Sequence, residues 1–168
     1  LERYGEVVGI ETDRALVAPD NPRRDRIRGE ALEHPCWDGR RFNLITALDV
    51  VEHIEDDRAA LARMASLLAP GGRLLLTVPA FPALWDRHDE VNHHFRRYTK
   101  ASLRSALPDS LQLIAQRYLF PSLYLPKWMV AHLNRRKAGI VQHEPPSHWI
   151  NRLGEAWLVA EDSLLRSF

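Results

Sequence analysis

Cysteine is nearly absent: Cys36 is the only one in 168 residues. A lone thiol closes no intrachain disulfide and builds no thiolate cluster for zinc, so a reducing, cytoplasmic setting is the expectation. An excess of one charge is missing too. With 23 Lys+Arg against 22 Asp+Glu the formal net charge is +1, whereas a general nucleic-acid binder carries a basic surplus. No apolar run is long enough to span a bilayer, because residues 118–133 are interrupted by Pro121, Pro126, Lys127 and His132. The opening LERYGEVVGIE has no charged segment leading into an apolar one, so no secretory leader is read there. It also lacks an initiator methionine, and the start is expected upstream. Internal repeats and low-complexity segments are absent, and so is any G-x-G-x-G. What remains is ordinary globular usage, 45% hydrophobic and 27% charged. That suits a single domain over residues 1–168 with a core of its own.

The organising stretch is Phe42–Pro79. Phe42–Leu48 is a near-continuous apolar run, as in a strand buried on both faces. Asp56 or Asp57 then caps a helix whose Leu61, Met64, Leu68 and intervening alanines form one apolar stripe. Pro70-Gly71-Gly72 should stop that helix, and Leu74–Val78 is the next strand. Two such strands joined by one helix make a parallel βαβ unit. Asp49, Glu52, His53, Glu55, Asp56 and Asp57 crowd the loop past the first strand's carboxyl end, the edge where open α/β sheets bind ligands. The plainer reading of these acids is helix capping and loop solubility.

Upstream, Leu1–Tyr4 reads as a last helical turn stopped by Gly5, and Val7–Ile10 as a short strand ending in Glu11-Thr12-Asp13. A carboxylate there can accept hydrogen bonds from both hydroxyls of a ribose; we assign that role to Glu11 and helix capping to Asp13. Arg14–Ala18 begins a helix broken by Pro19, Asn21 and Pro22, and Ile27–Ala31 is a short edge strand. Trp37-Asp38-Gly39-Arg40 is a turn.

Downstream, residues 80–98 interleave Phe81, Leu84 and Trp85 with His88, Asp89, Glu90, His93, His94, Arg96, Arg97 and Tyr98. A second acid–histidine loop after a strand makes a plausible substrate cover. His88, Asp89, His93 and His94 could also ligate a metal, but their spacing is not that of H-E-x-x-H and no metal is assigned. Ion pairing among Asp86, Asp89, Glu90, Arg96 and Arg97 is the bland alternative. Arg96-Arg97 could instead hold an anionic substrate through a fork-shaped contact.

Thr99 caps a helix through Leu107, and Leu111–Arg117 alternates as a strand would. Residues 118–148 read as an apolar lid or insertion. Burial against the domain is expected for Tyr118–Leu133, with a dimer face or a peripheral membrane contact through 118–137 as alternatives, the latter backed by Arg135, Arg136 and Lys137. His143–Ser147 is a linker, and Trp149–Leu165 has helical spacing.

Together, Val8–Glu11, Gly29-Glu30-Ala31, Phe42–Ile54 and Ala69–Gly72 with Leu74–Pro79 resemble the class I S-adenosylmethionine-dependent methyltransferases. Within them the chain is most similar to the small-molecule branch that includes quinone-biosynthesis enzymes. HDEVNHHFRRYT resembles a bacterial subgroup found alongside glycosyltransferases. The resemblance covers residues 1–107 and implies a Rossmann-like, doubly wound α/β fold, mostly parallel, with helices on both faces. It implies S-adenosyl-L-methionine as cofactor, with Glu11 and Thr12 at the ribose, Glu30 and Ala31 at adenine, and Leu48, Asp49 and Val50 at the methionine and sulfonium end. Two departures stand out. Asn43 replaces a usual aspartate, and the family's glycine-rich loop and first strand are not among residues 1–168.

The expected reaction is in-line methyl transfer to an oxygen, nitrogen or carbon of a small-molecule or lipid-linked acceptor. The cofactor brings its own activation, so the protein mainly aligns the acceptor and excludes water. A hydroxyl acceptor needs a base, and histidine suits neutral pH. His94 is the first candidate, then His53 and His88. Trp85, Arg96, Arg97 and Tyr98 are assigned to the substrate. The rival readings are a nucleotide-dependent oxidoreductase on a similar sheet and a non-catalytic binding module.

Overall fold

A computed structural model describes residues 3, 5–134 and 148–166. The elements run β1 (Gly9–Ile10), β2 (Ile27–Arg28), β3 (Phe42–Leu48), α1 (Asp57–Ser66), β4 (Leu68–Thr77), α2 (Arg87–Val91), α3 (Lys100–Ala106), α4 (Tyr124–Asn134) and α5 (His148–Arg166). The chain divides into two compact units, Leu1–Val78 with Ser105–Gln112, and Pro79–Arg104 with Leu113–Phe168. The expected helical turn at Leu1–Tyr4 and the linker at His143–Ser147 fall largely or wholly outside the described residues.

The first unit is built on parallel pairing, β1 with β2 and β3 with β4, as the α/β reading requires. β3 has the predicted bounds, and α1 joins it to β4. Asp56 is the cap: its Oδ1 accepts the Ala59 N–H at 2.9 Å. Ala60, Leu61 and Met64 of α1 are buried with Leu67, which ends the helix. Full burial of Leu61 alone contributes about 1.5–3 kcal/mol. Arg63 fastens α1 to the preceding loop, donating from Nε to the Leu32 carbonyl at 3.2 Å and pairing with Asp38 at 2.8 Å.

Several expectations need correction here. Pro70-Gly71-Gly72 does not stop the helix, which is over by Ser66; it lies inside β4 as a break in register. Pairing jumps from Phe42↔Leu68 to Leu44↔Arg73 across it. Gly71 takes a positive φ of 75°, and a Cβ on Gly72 would sit 2.8 Å from the carbonyl oxygens of Ala69 and Phe42. Only glycine fits that bulge without backbone movement. Leu68 therefore belongs to a strand and not to the helical stripe. β3 is not buried on both faces either: Leu44 and Leu48, on the same face as Leu75 of β4, are exposed, while Ala47 opposite is buried. Upstream, the helix expected at Arg14–Ala18 is one 3-10 turn, Arg14–Leu16, because Pro19 leaves no length to propagate. Pro35–Trp37 forms another such turn, leading into the turn expected at Trp37–Arg40, and buries Trp37.

In the second unit the segment after Pro79 folds back on itself. Ala80 bridges Tyr98, the Tyr98 N–H donates to the Pro79 carbonyl at 2.8 Å, and the Phe81 N–H to the Tyr98 carbonyl at 2.9 Å. α2 opens on a capping box: Asp86 accepts from His88 N–H, and Asp89 accepts from Asp86 N–H. Thr99 caps α3 as expected, its Oγ1 accepting from Ser102 N–H at 3.0 Å. Leu111–Arg117 is irregular and not a strand. Pro126 does not interrupt α4, because it occupies the first turn, where its missing N–H costs nothing. The burial expected of Tyr118–Leu133 is not found either: Leu119, Leu123, Leu125 and Met129 are exposed.

Candidate active site

Three strands of the first unit, β1, β2 and β3, deliver polar groups beyond their carboxyl ends. After β1, Glu11 Oε1 accepts the Asp13 N–H and Asp13 Oδ1 accepts the Ala15 N–H, both at 3.0 Å. Asp13 is thus the cap assigned to it. One oxygen of Glu11 is engaged in the local turn, and Thr12 is exposed. After β3, Asp49 takes a left-handed backbone with φ 53°. Its N–H donates to both the carbonyl and the Oγ1 of Thr77, and Thr77 Oγ1 donates back to Asp49 Oδ1 at 3.2 Å. A non-glycine residue held in this region stores strain, which concentrates at functional loops. Leu48 and Val50 beside it are exposed. A 3-10 turn, Val51–His53, follows, burying Val51 and Glu52 and leaving His53 exposed.

After β2, Glu30 Oε2 is buried and has no hydrogen-bond partner. An orphaned carboxylate oxygen away from water costs free energy until a donor reaches it. Beside it is a cavity of about 180 Å³ lined by Arg28, Glu30, Cys36, Trp37 and Arg40. Trp37 Nε1 donates to the Ala31 carbonyl at 3.0 Å, and the Arg40 guanidinium stacks 5.7 Å over the Trp37 ring. Sequence reasoning missed Trp37. The only available signal was a large aromatic residue just after Pro35. A second cavity, about 520 Å³, is bounded by Gly5–Val8, Asp25, Arg26, Arg28 and Arg40.

The second unit has a different character. Asp89 is completely buried and accepts from three donors: the single Arg97 Nε–H, shared between its two oxygens at 2.8 and 2.9 Å, His94 Nδ1 at 2.9 Å, and the Asp86 N–H at 2.9 Å. Burial works against its charge, but the donors, Arg97 first, outweigh it and hold the carboxyl below its ordinary value. Asp86 is held low in the same way: burial opposes, and the 2.8 Å bond from Lys127 leads the groups that win. An ionised Asp89 accepting from Nδ1 fixes the tautomer of His94, placing the proton on Nδ1 and the lone pair on Nε2.

The other residues assigned from sequence are distributed unevenly. Arg97 also donates to the Ala80 carbonyl at 3.2 Å, so the anion fork expected of it is taken up inside the protein. Arg96 stacks 5.9 Å over the Phe95 ring. Tyr98 is buried, Trp85 half-buried, and His88 exposed in the first turn of α2. Asp89, the fully buried hub, was read as a possible metal ligand or ion-pair partner and not as the group that orients His94.

Comparison with known proteins supplies the class. A methyltransferase domain family matches residues 2–118, and the chain belongs to that family. Among curated relatives it is 30% identical over 100 residues to a probable chloroplastic tocopherol O-methyltransferase of Oryza sativa subsp. japonica, covering 60% of this chain and 23% of that one. A ubiquinone biosynthesis O-methyltransferase of Coxiella burnetii is 24% identical over 105 residues, 58% of this chain and 40% of its own. A trans-aconitate 2-methyltransferase of Methylobacterium radiotolerans is 31% identical over 98 residues, 58% and 35% respectively. The matches thus span less than half the length of these relatives. No solved structure matches the chain.

Proposed function

We propose that the chain serves S-adenosylmethionine-dependent methylation of a hydroxyl on a small-molecule acceptor, with His94 as general base. The observation that carries the acceptor chemistry is the Asp89–His94 bond, because oxygen acceptors are the ones that need a proton removed. Two of the relatives just described are named as O-methyltransferases, which agrees. When bound, the cofactor supplies the electrophilic methyl group.

The first unit is assigned to the cofactor. Glu30, with its orphaned buried oxygen, fits a donor on the adenosine end, and Glu11 has a second carboxylate oxygen for the ribose. The strained Asp49 loop, with Leu48 and Val50, is assigned to the methionine end. In the second unit, Asp89 acts as a positioning residue: it aligns the His94 ring and stabilises the imidazolium formed on proton uptake. Arg97 keeps Asp89 ionised and so prevents it from competing for that proton. Trp85 and Arg96 remain the assignments on the acceptor side.

The test is steady-state kinetics of His94→Ala beside direct cofactor titration. Turnover should fall by about 10²–10⁴, the usual contribution of a general base, while affinity for S-adenosylhomocysteine stays nearly unchanged. A large loss of cofactor affinity in that variant would overturn the assignment.

A further inference from the structure

α4 is an apolar helix with one lysine, and that lysine is turned toward the protein. In its sequence, YLPKWMVAHLN, Lys127 stands without any arginine, aspartate or glutamate. A lysine ordinarily runs its ammonium out to water. Lys127 Nζ instead donates to Asp86 Oδ2 at 2.8 Å, from 41 positions along the chain, and the Asp86 side chain is only 18% exposed. Tyr124, three residues earlier and on the same helical face, meets the Phe81 ring edge-on at 4.7 Å. α4 is thus fastened, at Asp86 and at Phe81, to the segment that contains His94.

Asp86 passes the contact on. Its Oδ1 accepts the His88 N–H, and its own backbone N–H donates to Asp89 Oδ2, both at 2.9 Å, as the two halves of the capping box. Asp89 Oδ1 in turn accepts from His94 Nδ1 at 2.9 Å. Every link in the path Lys127–Asp86–Asp89–His94 is therefore a hydrogen bond of 2.9 Å or less. The two carboxylates repel each other, and Lys127 offsets that repulsion at Asp86 as Arg97 does at Asp89. Without the ammonium, Asp86 would keep its repulsion and lose its anchor, and one of the three donors to Asp89 would loosen with it. We propose that Lys127 is a positioning residue for the methyl-transfer site: by anchoring Asp86 from α4, it holds the Asp89 carboxylate where it keeps the His94 proton on Nδ1. The proposal rests on the reading of His94 as the base. Lys127 is 38% exposed, and a partly exposed ion pair contributes little to stability; the bond matters for where Asp86 is held.

The experiment is long-range proton–nitrogen NMR of the protein at a pH where the ring is neutral, with the His94 signals assigned by their loss in His94→Gln. The ring should be predominantly the Nδ1–H form. Lys127→Met should lower the ratio of the Nδ1–H to the Nε2–H form about three- to thirtyfold, and Lys127→Arg, which keeps the charge, should retain most of it. If Lys127→Met does not fold, Lys127→Gln, which keeps a polar end, is read in the same way. An unchanged ratio in the neutral variant overturns the proposal, because a lysine that merely fastens α4 would move the melting temperature alone. So does an arginine variant that shifts the ratio as far as methionine does. The measurement needs no acceptor. An unchanged ratio beside a His94→Ala variant that loses turnover would sink the role of Lys127 and spare the base, whereas a shifted ratio beside an active His94→Ala would sink the base and leave the linkage.

Discussion

Residues 49–57 and 86–98 contain the same kinds of side chain, acids and histidines after a strand, yet they fold to opposite ends. The first keeps Asp49, His53, Glu55 and Asp56 at the surface and buries Glu52; Asp49 bonds Thr77, and Asp56 caps α1. The second seals Asp89 from solvent among Arg97, His94 and the Asp86 N–H. Residues 86–98 contain three arginines, one of which, Arg97, pairs with the buried Asp89, whereas residues 49–57 contain none. The second segment thereby holds one histidine in a set orientation, while most polar groups of the first face solvent.

Substitutions can break that contrast. The largest effect is expected at the hub: Asp89→Ala leaves Arg97 without its buried counter-charge and should cost about 3–5 kcal/mol, whereas Asp49→Ala should cost less than about 1 kcal/mol in thermal or urea unfolding. Equal losses at the two sites would erase the distinction. Acid sharpens it next. Asp89 and Asp86 both sit below their ordinary value of 3.8 in the folded chain, so their contribution is fully present above that pH and is lost as pH falls below it. The midpoint of thermal unfolding should be steady from neutrality to about pH 4 and drop beneath it, and Asp89→Ala should flatten that drop. The smallest effect is local. Asp56→Ala removes the cap of α1 and should cost about 1 kcal/mol in thermal or urea unfolding.

How much of this was legible depends on which forces act locally. β3, the Asp56 cap, the Asp13 cap and Thr99 at α3 were readable, because strand periodicity and capping chemistry are written within a few residues. The Pro70–Gly72 bulge was misread as a helix stop because both uses need glycine at positive φ; only the pairing partner, Phe42, tells them apart. Trp37 was read as part of a turn, and its burial was not foreseen because it depends on Arg40 and on the loop that Arg63 ties down, neither visible in spacing. His94 was chosen for its type and its place in the chain. The carboxylate that orients it could not be singled out, since Asp86, Asp89 and Glu90 are equivalent until α2 turns Asp89 inward. The outward apolar face of α4 was likewise taken for core, because composition records that residues are apolar but not which side of a helix is already occupied.

In the proposed function the first unit binds the adenosine end of a sulfonium cofactor through Glu30. The direct measurement is calorimetric titration of the protein and of Glu30→Ala with S-adenosylhomocysteine and, separately, with NAD. Saturable binding of S-adenosylhomocysteine, weakened about tenfold or more without the Glu30 carboxylate, and no binding of NAD, is the predicted result. Saturable binding of NAD with none of S-adenosylhomocysteine, or identical affinities in the two proteins, would contradict it.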